Sequence, residues 1–240
     1  MKLIGLTRIR NEELIIKDTL DHLSEFCSEV IVYDDCSTDA TVSICENHPI
    51  VSKVIKGDSW KENRLVEEYA NRHQLYLEAE KILEPNDWFV YVDADERIEF
   101  DWSKLNDNID AVRMRLFDFY ITDEDKNLNY TERKWMGPEY RDILFAFRMG
   151  AAAGWYHIDQ RECTLRSNRV ILDGFVKHYG KSVSIEEWES TCDYYIKYFP
   201  MYSEKWKLRK GKAIHTESDF GRPLITWEDK QSSNHLFKIH

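Results

Sequence analysis

Trp88-Phe89-Val90-Tyr91-Val92-Asp93-Ala94-Asp95-Glu96 passes without a break from five apolar side chains into acid. The apolar part is short, β-branched and aromatic, and it follows the breaker Pro85-Asn86-Asp87, so it reads as a buried strand. Buried strands seldom end in carboxylates, because an unpaired one costs several kcal/mol to desolvate. On an extended backbone Asp93 and Asp95 point to the same side. Two hard oxygen donors there suit a divalent cation that also holds phosphate oxygens. The plainer alternative is a solvated turn after an edge strand. The wholly apolar strand feeding the acids favours a site.

The same pattern recurs upstream. Residues 2–7 are apolar enough for a first strand, which ends in Thr7-Arg8-Ile9-Arg10-Asn11-Glu12. Residues 12–27 read as a helix, with Leu14, Ile15, Leu20, Leu23 and Phe26 near one face and Asn11 as N-cap. Residues 30–33 form a second strand ending in Asp34-Asp35-Cys36-Ser37-Thr38-Asp39. A helix over residues 39–47 follows, capped by Thr38 or Asp39. Residues 51–55 are a third strand, Gly57-Asp58-Ser59-Trp60 a loop, and residues 62–83 a long helix. This alternation predicts a doubly wound, mostly parallel α/β sheet. Such sheets bind ligands beyond the carboxyl ends of their strands. Three of the four predicted carboxyl ends carry polar clusters. Neither G-x-G-x-x-G nor G-x-x-x-x-G-K-[ST] follows the first strand, which argues against a dinucleotide oxidoreductase or a P-loop NTPase.

Composition bounds the rest. The 240 residues are 42% hydrophobic and 32% charged, enough for one α/β domain with or without an appendage. A net charge of −11 speaks against nucleic acid as the main partner, though not against a small phosphorylated ligand. The eight Trp and 13 Tyr suit both sugar stacking and core filling, so they decide nothing. No stretch reaches the ~20 apolar residues of a membrane span, and the N-terminal apolar run is short for a signal peptide. A cytoplasmic location is the expectation. Cys27, Cys36, Cys45, Cys163 and Cys192 are odd in number and lack a C-x-x-C pair, which points to reduced thiols.

With these residues in place, the first hundred positions resemble a family 2 glycosyltransferase of the GT-A fold. The matching pieces are Arg8-Ile9-Arg10-Asn11-Glu12, Asp34-Asp35-Cys36-Ser37-Thr38-Asp39 and Val92-Asp93-Ala94-Asp95-Glu96, in that order and at fitting separations. The resemblance implies a nucleoside diphosphate sugar donor, a UDP-sugar foremost, and Mn²⁺ or Mg²⁺. It places the metal on Asp95, with Asp93 near the ribose or the metal, and His178 as a further ligand. It lines the nucleotide pocket with Thr7, Arg8, Arg10, Glu12, Asp34, Asp35, Asp39, Arg64, Asp93 and Ala94. A hydrogen-bonded core histidine is the alternative for His178. An inverting transferase needs a carboxylate to take the acceptor hydroxyl's proton. The resemblance points to Asp159, with Glu162 as the alternative, although no acidic pair of the usual T-E-D kind is present.

The second half matches less. Residues 111–119 read as a strand whose Arg113 and Arg115 either alternate outward on a solvated face, the favoured reading, or reach phosphate. Residues 123–127 are a polar loop tip, and residues 130–135 and 143–148 further strands of a mixed sheet. Gly150-Ala151-Ala152-Ala153-Gly154 reads as a flexible small-residue stretch at an acceptor site, or as a simple turn. Ser184-Ile185-Glu186-Glu187 resembles a capping box for a helix that runs to Pro200. Residues 202–212 are basic, either contacting phosphates or an acidic acceptor or forming a solvated helix end. The last residues wrap the domain or pair with a second subunit, as in a homodimer. The expected organisation is a nucleotide-sugar-binding half (1–100), an acceptor-binding half (101–182) and a helical extension with a tail (183–240).

The expected function is metal-dependent, inverting transfer of a sugar to the hydroxyl of a carbohydrate or glycolipid acceptor, as in building cell-envelope polysaccharide or lipopolysaccharide. Three rivals keep the fold: a sugar nucleotidyltransferase, a non-catalytic nucleotide- or carbohydrate-binding relative, and a glycosyltransferase that modifies phage or viral DNA. The first would show a glycine-rich turn after the first strand, which is missing here. The last sits poorly with the negative charge.

Overall fold

Strand β1 (Leu3–Ile9) is buried except at Arg8. It is followed by α1 (Ile16–Ser24), β2 (Glu29–Asp34), α2 (Thr41–Asn47), β3 (Val51–Lys56), α3 (Arg64–Glu80) and β4 (Trp88–Tyr91). Next come β5 (Glu96–Glu99), β6 (Ala111–Phe119), β7 (Trp135–Arg148), β8 (Ala152–Gly154), β9 (Thr164–Leu165) and β10 (Val170–His178). Helices α4 (Ile185–Tyr198) and α5 (Ser203–Arg209) and the short strands β11 (Ile225–Thr226) and β12 (Phe237–Lys238) complete the chain. This computed structural model describes residues 1–158, 160–231 and 236–239. It divides into two units, one of Met1–Met114 with Ile143–Gly174, the other of Arg115–Asp142 with Phe175–His240. The grouping therefore interleaves the linear segments 1–100, 101–182 and 183–240, and β6, β7 and β10 each run from one unit into the other.

In the first unit the strands lie in the order β3-β2-β1-β4, all parallel, which is the doubly wound order. Strand β7 then pairs antiparallel with β4 through Trp88↔Arg148, Phe89↔Phe147 and Val90↔Ala146, making the sheet mixed. Side chains alternate across β1 and meet different helices. Ile4 and Leu6 join the core of Leu75, Tyr76 and Ala79 from α3 with Phe89, Phe147 and Trp155. Gly5 faces α1, where an added Cβ would lie 3.0 Å from Val30 and 3.4 Å from Leu23. Glycine at this strand position lets α1 seat its buried stripe of Ile16, Thr19, Leu20 and Leu23.

The second unit contains the other parts of the adjacent strands β7, β6 and β10, with β11 and β12 paired to β7. Its helical part is held by a cluster of Trp188, Cys192, Trp206 and Ala213. Ser184 caps α4 as its sequence predicts, its Oγ accepting from Glu187 N at 3.1 Å.

Local departures from the sequence reading have physical causes. Helix α1 begins at Ile16 and not at residue 12. Asn11 is no N-cap, since its φ of 52° puts it in a left-handed turn. The N-cap of α2 is Ala40, while Asp39 Oδ1 accepts from Thr41 N one residue further on. Tyr130–Glu132 is a 3₁₀ turn with an Asn129 capping box, not a strand. Residues 151–154 are buried, in a 3₁₀ turn and strand β8, and not a flexible linker.

Candidate functional site

The carboxyl ends of β1, β2 and β4 lie side by side in the first unit, and the polar clusters expected there meet. Arg8 Nη1 donates to Asp35 Oδ2 at 2.9 Å, and Arg8 Nη2 lies 3.3 Å from Glu68 Oε1. Arg64 Nη2 pairs with the same Asp35 oxygen. Arg10 Nη1 donates to the carbonyls of Asp35 (2.8 Å) and Cys36 (3.1 Å). The guanidinium carbons of Arg10 and Arg64 lie 3.3 and 3.8 Å from the ring centroid of Trp60. Thr7 Oγ1 and Arg8 Nε are buried at the end of β1 without a hydrogen-bond partner among the described residues. Unpartnered buried polar atoms are exceptions that call for an explanation, and Arg8 Nε lies beside the charge cluster of Asp35 and Glu68.

The turns after β1 and β2 clasp each other. Asn11 N donates to Ser37 Oγ (2.9 Å), and Thr38 N donates to Asn11 Oδ1 (2.8 Å). Glu12 N donates to Thr41 Oγ1 (2.7 Å), Ala40 N to Glu13 Oε2 (3.0 Å) and Glu13 N to Asp39 Oδ2 (3.3 Å). Asp34, 4% exposed, accepts from Ser37 N at 3.1 Å and shapes its own turn. Both turns need a left-handed residue, Asn11 in one and Cys36 (φ 61°) in the other. Asn tolerates that region readily; Cys does so at a cost.

The acidic end of β4 differs from its expected form. The strand stops at Tyr91, so Asp93, Ala94 and Asp95 lie in a turn before β5 and not on an extended backbone. The same-side argument for the two acids therefore lapses. The turn is fixed from several directions. Asp93 N donates to Glu96 Oε2 (2.7 Å), and the Ala94 carbonyl accepts from Thr19 Oγ1 (2.5 Å) and Arg97 Nη1 (2.9 Å). Asp93 Oδ1 accepts from the Tyr91 hydroxyl (3.0 Å), and Asp93 Oδ2 lies 3.6 Å from Arg161 Nη1. Arg161 Nη2 also meets both oxygens of the buried Glu96 at 2.7 Å. Arg72 Nε donates to the Tyr91 hydroxyl at 3.0 Å.

Charge compensation sets the protonation states. Desolvation alone would raise Asp93, but Arg161, Arg72 and Arg8 outweigh it and bring its pKa down to about 2. Burial pushes the Tyr91 hydroxyl up to about 12. Burial opposes the charge on Arg8 and Arg161, but the acids around each raise its pKa above the usual value. At neutral pH Asp93, Arg8 and Arg161 are therefore charged and the Tyr91 hydroxyl is neutral.

The remaining expected site residues fall elsewhere. Glu162 is bound bidentately by Arg113, at 2.6 and 3.0 Å, and also accepts from Leu144 N at 2.9 Å. Asp159 lies outside the described residues. His178 belongs to the second unit, where its Nδ1 is 2.5 Å from Asp118 Oδ1. Asp118 also binds Lys181 Nζ (2.7 Å) and Arg141 Nη2 (2.7 Å). Among the described residues no three His, Cys, Asp or Glu side chains gather as a metal site. The Asp93-Ala94-Asp95 turn therefore offers at most two carboxylates. That number fits a hard cation whose other ligands are phosphate oxygens and water.

The sequence reading missed Trp60 as a contact and missed Glu68, Arg72 and Arg161 altogether. One signal was present: Arg64, Glu68 and Arg72 are spaced i, i+4, i+8, on one face of α3. Both arginines are nearly buried, at 1% and 7% exposure. Arg161 reaches the site by long-range folding and had no local signal.

No family model matches the chain. Uncharacterized proteins of Mycobacterium tuberculosis and Mycobacterium bovis are each 32% identical to it over 146 residues, 60% of this chain. The chain spans 33% of the length of these relatives. Among solved structures it is similar to glucosyl-3-phosphoglycerate synthase from Mycobacterium tuberculosis. The complex of that enzyme with Mn²⁺, uridine diphosphate and glucosyl-3-phosphoglycerate has 18% identity and a TM-score of 0.31, over 53% of this chain and 47% of that one. The complex with Mn²⁺ and uridine-diphosphate-glucose has 17% identity and a TM-score of 0.33, over 48% and 43%. A 4-diphosphocytidyl-2C-methyl-D-erythritol synthase has 11% identity and a TM-score of 0.42, over 63% and 77%.

Proposed function

We propose that the first unit binds a nucleoside diphosphate sugar, a UDP-sugar foremost, and that the protein transfers the sugar to an acceptor hydroxyl. The observation that carries this reading is the charge array at the carboxyl edge of β1, β2 and β4. Arg8, Arg64, Arg72 and Arg161 are set there against Asp35, Glu68, Asp93 and Glu96. Doubly wound sheets bind nucleotides at this edge. The three sequence pieces that resemble family 2 glycosyltransferases supply four of these eight residues, Arg8, Asp35, Asp93 and Glu96.

In this reading the chain's own groups do three things. Arg8 and Arg64 supply positive potential for a diphosphate, with Asp35 holding them in place. Arg8 Nε gives a hydrogen-bonding group to the donor. The Arg10–Trp60–Arg64 stack closes the side of the pocket formed by the loop before α3. Asp95, aided by Asp93, would hold Mn²⁺ or Mg²⁺, which supplies charge stabilisation to a departing diphosphate.

The test is calorimetric titration of UDP, GDP, CDP and their sugars, with and without Mn²⁺, on the wild type and on Asp95→Asn. Metal-dependent binding of one nucleotide, lost in the variant, is the expected result. Binding indifferent to both metal and Asp95, or no binding, would overturn the reading.

A further inference from the structure

The turn Pro200–Tyr202 runs directly into α5. Its inner side is anchored, since Trp206 is buried and stacks on Tyr195 with centroids 4.4 Å apart and planes 5° from parallel. The outer side is unusual. Leu208 is 71% exposed, Met201 59% and Tyr202 49%, although all three lie on well-formed turns. Lys205 and Leu208, three apart on α5, share one helical face, and Met201 lies in the 3₁₀ turn just before it. Lys205 is exposed among them, and Lys212 lies just past the helix end.

The surrounding charge is opposite to that of the whole chain. Residues 197–212 hold Lys197, Lys205, Lys207, Arg209, Lys210 and Lys212 against the single acid Glu204, in a protein of net charge −11. Lys207 pairs with Glu204, Arg209 with Asp219 and Lys210 with Asp193. Lys205 and Lys212 form no ion pair among the described residues. Lys205 lies in the field of Asp219 and Asp118 without pairing with either, and the three apolar side chains stay exposed.

We infer that this face is a peripheral docking surface for an anionic lipid bilayer. A bilayer meets both halves of its chemistry: acyl chains and glycerol take Leu208, Met201 and Tyr202, and headgroup phosphates take Lys205 and Lys212. A nucleic acid or an acidic protein segment would use the lysines and leave the apolar side chains in water. No helix among the described residues is long and apolar enough to cross a membrane, so the contact is made from the surface. This inference is independent of the sugar-transfer reading.

The experiment is co-sedimentation of the full chain with vesicles of phosphatidylcholine alone and of phosphatidylcholine with about one-third phosphatidylglycerol. The expected affinity is at least about tenfold higher for the anionic vesicles and falls as salt is raised. Met201→Ser with Leu208→Ser keeps the charge and should lower that affinity about tenfold. Lys205→Gln with Lys212→Gln should lower it through charge alone, and thermal melting of each variant checks folding. Equal binding to both vesicles, or none, overturns the proposal. So does a folded serine variant that binds like wild type, because the patch would then read charge alone and its partner would be a nucleic acid or acidic protein.

Discussion

The Arg10 guanidinium sits over Trp60, its central carbon 3.3 Å from the ring centroid, and that of Arg64 sits over the same ring at 3.8 Å. One indole thus ties the turn after β1 to the first residue of α3. Each such contact is worth about 0.5–2 kcal/mol when partly desolvated. Trp60→Ala should therefore cost about 1–3 kcal/mol in urea unfolding. Trp60→Phe, which keeps an aromatic face, should recover part of that loss. An alanine variant as stable as wild type would mean that the stack contributes nothing.

Asp95→Asn keeps volume and removes charge. We expect the variant to remain folded, with thermal melting as the check. We expect it to lose metal-dependent nucleotide binding. Wild-type affinity in the presence of Mn²⁺ would remove Asp95 from the proposed site.

Arg161 faces the 2%-exposed Glu96 through two 2.7 Å contacts and reaches Asp93 as well. Arg161→Met leaves that carboxylate without its main partner. The expected loss is about 2–3 kcal/mol in chemical denaturation. Arg161→Met with Glu96→Gln should be less damaging than the sum of the two, because the stranded charge is gone.

The depressed pKa of Asp93 makes a signed prediction for acid stability. The group ionises near 2 in the fold against an ordinary 3.8. Its contribution is fully present above about 3.8 and is lost as pH falls through about 2. The stability gap between wild type and Asp93→Asn should narrow over that window and stay constant above it. A gap that does not change with pH would show that Asp93 is not compensated by the arginines.

Gly154 adopts φ +87°, and a Cβ there would lie 2.7 Å from His73 Nδ1 and 3.0 Å from Tyr76. Backbone strain and the clash act together, so Gly154→Ala should lower stability by about 1–3 kcal/mol. A melting temperature equal to wild type would show that β8 can shift without cost.

Much of the first unit could be read from sequence because its signals are local. The apolar run of β4, the alternation of strand and helix, and polar residues at three strand ends all lie within short windows. The contacts that complete the site are not local. Arg161 meets Glu96 across 65 residues and Arg72 meets Tyr91 across 19, and no periodicity carries such information. Arg64, Glu68 and Arg72 were visible as a helical face, but charged spacing on a helix usually means solvent. The acids after Tyr91 are visible in the sequence, but the extended geometry expected for them is not what the chain adopts. Strand ends depend on the partner ladder, and β4 runs out of pairing before Asp93.

The clasp between the turns after β1 and β2 has a consequence for how this protein can change. Asn11, Glu12 and Glu13 exchange hydrogen bonds with Ser37, Thr38, Asp39, Ala40 and Thr41, side chain to backbone in both directions. An inserted or deleted residue in either turn would strand the donors of the other. The two loops therefore form a single heritable module split in sequence. Swapping one of them from a relative should fail where swapping the pair succeeds.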